Sequence, residues 1–146
     1  MSLGPHTRTL TNMTHVAFTT PPEAADIEAV ARDTIAGLPD AVRARTGDIL
    51  VQVHDFPDED LEADMELETP FDLLGLYQGV PLTEKSVGDV PQDVDTILLF
   101  RRPLLDYWCE TGEDFRAVVR HVVIHEIGHH FGLSDAEMAA AEAAVP

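Results

Sequence analysis

Cysteine is nearly absent from this chain. Cys109 is the only one among 146 residues, which excludes an intrachain disulfide framework and agrees with a reducing cytoplasm. Basic residues are also scarce: nine stand against 27 acidic ones, for a formal net charge of −18. No lysine or arginine occurs anywhere from Thr46 to Glu84. A field of that sign repels phosphate backbones and anionic membrane surfaces, so nucleic acid and membranes are not expected as partners. The same field attracts metal ions and cationic substrates but identifies none of them. No apolar run approaches the length that spans a bilayer. The N-terminal stretch through Leu10 lacks the apolar segment and cleavage signature of a secretory signal. A cytoplasmic location is the expectation; nothing in the composition speaks to oligomeric state.

What the chain does contain is concentrated in His121-Val-Val-Ile-His125-Glu126-Ile-Gly-His129-His130-Phe-Gly132-Leu-Ser-Asp135. Within it lies H-E-x-x-H followed by x-x-G-x-x-D. On an α-helix, positions i and i+4 sit about 40° apart around the axis and roughly 6 Å along it. His125 and His129 can therefore point two imidazoles at one metal ion. Glu126 reaches the side of that metal where a water would sit. Gly132 suits a left-handed helix end that reverses the chain and carries Asp135 back toward the same point. Together these residues predict a Zn²⁺ site with a general base beside it.

Other third ligands compete with Asp135, which has an alternative role as a cap of the last helix. His121 lies one turn before His125, but about 12 Å along the axis from His129, too far for both to share one ion. His130 is rotated about 100° from His129, toward Glu126 or the packing interface. Cys109 has no spacing argument and reads as a buried small hydrophobe.

Length and ordinary apolar content fit one domain over residues 14–146, with a disordered lead-in over residues 1–13. His6 and His15 read as solvent-exposed. Thr14 to Thr19 suggests an extended segment, and Thr20 with Pro21 a helix start. Ile27, Val30, Ala31, Ile35 and Leu38 supply one apolar helical face closed by Gly37 and Pro39. A helical turn over Asp40–Arg45 precedes a strand over Asp48–His54, whose Ile49, Val51 and Val53 share one face. His54 reads as an edge or surface histidine. Eight of the fourteen residues from Asp55 to Glu68 are acidic; they read as a short helix with a solvated face, the alternative being a flap that selects basic peptides. Leu74–Gln78 reads as an edge strand and Lys85–Asp95 as a loop. Thr96–Arg101, apolar on both faces, predicts a central strand, ended by Arg101-Arg102-Pro103 and followed by a short helix over Leu104–Cys109. Thr111 is the expected cap of the motif helix, whose buried stripe is Phe115, Val118, Val119 and Val122. Ser134 with Glu137 offers a capping pair for an alanine-rich final helix.

The extended motif resembles the zincin metallopeptidases, in the metzincin-type variant with aspartate as third ligand. More narrowly, Leu74-Gly-Leu-Tyr-Gln-Gly-Val-Pro-Leu-Thr83, Leu99-Phe-Arg-Arg-Pro-Leu104 and Val123-Ile-His-Glu-Ile-Gly-His-His-Phe-Gly-Leu133 resemble the small bacterial zincin-like, or minimal, metallopeptidase family. The likeness covers roughly residues 70 to 137 well and the first half in outline. It implies a compact α/β (α+β) domain, with a small mixed sheet packed against the motif helix. It also implies His125, His129 and Asp135 as zinc ligands and Glu126 as catalytic base, activating a zinc-bound water for peptide hydrolysis. Unlike larger zincins, the chain has no room for a full Met-turn: Met138 lies three residues past Asp135.

Two other readings stand beside this one. Small bacterial endoribonucleases also carry H-x-x-x-H, but with glycine where Glu126 stands and a histidine as third ligand; the acidic balance disfavours RNA as well. A non-catalytic zinc-binding interaction module would differ by lacking an open coordination position or solvent access.

Overall fold

Four of the five residues in Thr96–Phe100 are buried, as expected of a strand with apolar side chains on both faces and cover on both sides. In the computed structural model, which describes residues 18–79 and 94–144, this strand (β3) is central to a three-stranded mixed sheet. Leu50–His54 (β1) pairs parallel to it, with Val51 opposite Ile97 and Val53 opposite Leu99. Gly75–Gln78 (β2) pairs antiparallel on the other side, with Tyr77 opposite Ile97. The order β1-β3-β2 leaves β2 at an edge.

Among the described residues, six α-helices accompany the sheet: Ala24–Ala36 (α1), Asp40–Thr46 (α2), Glu59–Asp64 (α3), Arg101–Thr111 (α4), Phe115–Phe131 (α5) and Asp135–Ala144 (α6). The result is the small mixed sheet with flanking helices, an α+β domain, that the resemblance implies. The motif helix α5 packs against α1, β2, α4 and α6. Ile27 and Ala31 of α1, Ile97 and Leu99 of β3, Leu104 of α4 and Val119 and Val123 of α5 are all fully buried in one core. Thr34 joins this core by donating its hydroxyl to the Val30 carbonyl at 2.8 Å, which satisfies a polar group otherwise costly to bury. Among the described residues, no helix is long and apolar enough to cross a membrane.

Several boundaries differ from the sequence-based expectation. The first helix starts at Ala24, not at Thr20-Pro21. Glu23 and Asp26 form a reciprocal capping box there, while the Pro22 carbonyl accepts a 2.8 Å hydrogen bond from Arg101 Nε. That long-range tie holds the Pro-Pro segment outside the helix. The strand ends before Arg101-Arg102-Pro103 as expected, but α4 begins directly at Arg101 rather than at Leu104, because proline is tolerated in a first turn whose N–H groups lack intrahelical partners. Thr111 is the last residue of α4, and Gly112 (φ 69°, ψ 12°) ends it in a left-handed cap. The cap of α5 is instead Asp114, which accepts from the Ala117 N–H at 3.0 Å. Cys109 is exposed rather than buried.

The acidic segment contains α3, in which no residue is buried and Asp58 caps the first turn. His54 is exposed and lies 3.2 Å from Gln52 through Nε2. The lead-in over residues 1–13, His6, His15, most of Thr14–Thr19 and nearly all of the expected loop Lys85–Asp95 fall outside the described residues.

Candidate metal centre

Helix α5 buries Phe115, Val118, Val119, Val122, Val123, Ile124 and Ile127 on one side. This leaves His121, His125 and His129, spaced by four residues, along another stripe. His125 and Glu126 are half-buried; His129 and His130 are exposed. The helix ends at Gly132 (φ 70°, ψ 35°), and the Leu133 N–H bonds back to the Gly128 carbonyl at 2.8 Å. Arg45 Nη2 donates to the Phe131 carbonyl at 2.7 Å, placing a cation at the negative end of the helix dipole.

Beyond this turn, Ser134 and Glu137 cap α6 reciprocally: the Ser134 N–H donates to Glu137 Oε1 at 2.9 Å and the Glu137 N–H to Ser134 Oγ at 3.1 Å. The pair takes over the capping role that was the alternative for Asp135. Asp135 is exposed in the first turn of α6, near enough for its charge to act on His125.

The ring centroids of His125 and His129 lie 6.0 Å apart with planes at 83°. His125 also faces His121, at 3.9 Å between centroids, and Glu142 of α6, at 3.6 Å from Nε2 to Oε1. His121 Nδ1 lies 2.6 Å from the same oxygen. Among the described residues, His121, His125 and Glu142 form the one group whose possible ligand atoms all lie within 4.8 Å of each other. His129 and Asp135 stand outside that group.

Desolvation lowers the pKa of His125, and the neighbouring His121 acts in the same direction. The imidazole is therefore held neutral near pH 7, with a lone pair available to a metal. Glu126 is shifted upward, mainly by burial; the Tyr77 backbone N–H and the nearby His129 oppose that shift. Tyr77 thus supports Glu126 from β2. Its ring stacks on His130 at 4.2 Å, and its hydroxyl donates to Asp95 at 2.9 Å. A Cβ on Gly79 would overlap the His130 ring, so that imidazole would have to shift for any larger residue there.

Two features escaped the reading of the sequence. Tyr77 lies within the Leu74–Thr83 stretch that carries the resemblance, but nothing in that stretch marked it as a neighbour of Glu126 or His130. Glu142 had a signal: it lies ten residues after Gly132 and His121 eleven before, so a helical hairpin turning at Gly132 brings them level.

Among the described residues, a mixed sheet and six α-helices, one of them bearing H-E-x-x-H with a carboxylate just past its terminal turn, define an α+β domain of zincin type. The family model for zincin-like metallopeptidases matches residues 46–144, and the chain belongs to that family. No curated protein sequence matches the chain. The donor set fits the zinc that the family implies: neutral imidazole nitrogen and carboxylate oxygen are both among its usual ligands.

Proposed function

We propose that the chain is a zinc-dependent metallopeptidase in which Glu126 is the general base. The observation that supports this most is the setting of Glu126. It is a half-buried carboxylate with a raised pKa, beside a metal-competent histidine. A base tuned toward the working pH transfers protons more effectively than an ordinary surface carboxylate.

His125, His129 and Asp135 would hold the ion. When bound, zinc supplies Lewis-acid polarisation of a carbonyl and lowers the pKa of a coordinated water. The protein's own contribution lies in placement and proton handling. Glu126 takes a proton from the attacking water and delivers it to the leaving amine. The Tyr77 N–H favours the ionised form of that carboxylate against the effect of burial. The acidic charge favours basic peptides and disfavours RNA, which weighs against an endoribonuclease.

Exposure of His129 and partial exposure of His125 leave the site open to solvent. Such openness supports a catalytic role over a closed, purely structural metal module. Glu126→Gln should keep zinc and lose peptide hydrolysis by about 10²–10⁴-fold, the usual contribution of a general base. Equal turnover of a peptide library by both proteins would remove the catalytic role.

A further inference from the structure

We propose that His121, His125 and Glu142 form a second position for a divalent cation, sharing His125 with the H-E-x-x-H pair. The donors come from two helices that the Gly132 turn folds together. In a tetrahedral site with bonds of the usual zinc length, donor atoms stand about 3.4 Å from each other. Here all three candidate donors already lie within 4.8 Å, and the Glu142 oxygen is 2.6 Å from one imidazole and 3.6 Å from the other. Side-chain adjustment alone brings them onto one ion. Two imidazoles and a carboxylate suit Zn²⁺, with Co²⁺ and Ni²⁺ as chemical alternatives.

A separate observation shows room for further ligands. His121 and Glu142 form part of the wall of a cavity of about 490 Å³, together with Leu74, Tyr107, Val118 and Arg120. Water or a small anionic group in that cavity could therefore reach an ion held by His121 and Glu142.

The geometry of α5 makes the two positions alternatives. His121 and His129 are two turns apart, so they cannot serve one ion. One imidazole nitrogen holds one ion, and the Nε2 that faces Glu142 is the His125 atom the second position uses. With that same Nε2 serving the H-E-x-x-H pair, the chain would carry a single ion either toward His129 and Asp135 or toward His121 and Glu142. His125 is the pivot, and the second position keeps the ion on the protein but away from His129. This inference uses the metal-binding part of the proposed function and is independent of hydrolysis.

The test is a Zn²⁺ titration by calorimetry of the full chain as His129→Ala, His129→Ala/Glu142→Gln and His129→Ala/His121→Ala. Circular dichroism checks the fold of each; His129 is exposed on a helix, where alanine is well tolerated. His129→Ala should still bind one zinc. Each double variant should bind it roughly tenfold or more weakly, since even loss of an outer-shell partner costs that much. In nitrogen-15 spectra, zinc should shift the His121 ring nitrogens of His129→Ala. Asp135→Ala provides a second background for the same measurement. No zinc binding by His129→Ala, or double variants that bind as tightly as it does, overturns the proposal. Hydrolysis is not read in this experiment, so its failure leaves the role of Glu126 standing, and failure of that role leaves this result intact.

Discussion

The backbone N–H of Tyr77 acts on the carboxylate of Glu126 and opposes the rise in its pKa that burial causes. The relationship joins an edge strand to the motif helix. Among the described residues β2 has β3 on one side only, so some of its N–H groups face away from the ladder and need another acceptor. The Glu126 carboxylate lies where it can serve as one, tying the sheet edge to the orientation of the proposed base.

Burial of Glu126 has a consequence for stability in the metal-free protein. Its folded pKa lies above the ordinary value of 4.5. Between those two values the folded state binds more protons than the unfolded state, so this group's contribution falls as pH rises through the window. Glu126→Gln removes the cost of an ionised, desolvated carboxylate and leaves a carbonyl able to accept from Tyr77. The metal-free variant should therefore be more stable than wild type at neutrality, with the difference disappearing below the ordinary glutamic-acid pKa. Urea unfolding at both pH values checks this; a difference that does not change with pH would contradict it.

Much of the scaffold was legible because its signals are local. The apolar runs at Thr96–Phe100 and along Phe115–Val122 specify a central strand and a buried helix face without tertiary information. The reciprocal cap of Ser134 and Glu137 is equally local. The errors arose where distant residues decide. Thr20-Pro21 has a good helix-start composition, but the Arg101 side chain holds Pro22 in the preceding segment. Thr111 looks like a cap until Gly112 is found to end the previous helix. At the site, the spacing of His125 and His129 was visible directly. The approach of Glu142 to His121 depends on the hairpin angle between α5 and α6, which no local pattern specifies.

That hairpin angle rests on Gly128. A Cβ at this position would overlap Met138, which is almost fully buried on α6. In an exposed helix interior, glycine to alanine gains about 1 kcal/mol from propensity. Overpacking a filled contact costs about 1–3 kcal/mol. Gly128→Ala should therefore give a net loss of up to about 2 kcal/mol by denaturant unfolding. A gain in stability would show that α5 and α6 are not in close contact here.

The last prediction concerns Asp135. The capping bonds at the start of α6 belong to Ser134 and Glu137, and the Asp135 charge already reaches His125. His130 is different: its ring stacks on Tyr77 beside Gly79. His121 lies two turns from His129 and belongs to the other ion position. Asp135→Ala should weaken zinc binding by roughly ten- to a hundredfold or more, a scale that outer-shell losses alone reach. His130→Ala and His121→Ala should retain a zinc at His125, His129 and Asp135. The comparison is cleanest in a Glu142→Gln background, where the second position cannot mask the loss. Metal titrations of the three variants in that background decide the matter, and full-affinity binding after Asp135→Ala would overturn the assignment of the third ligand.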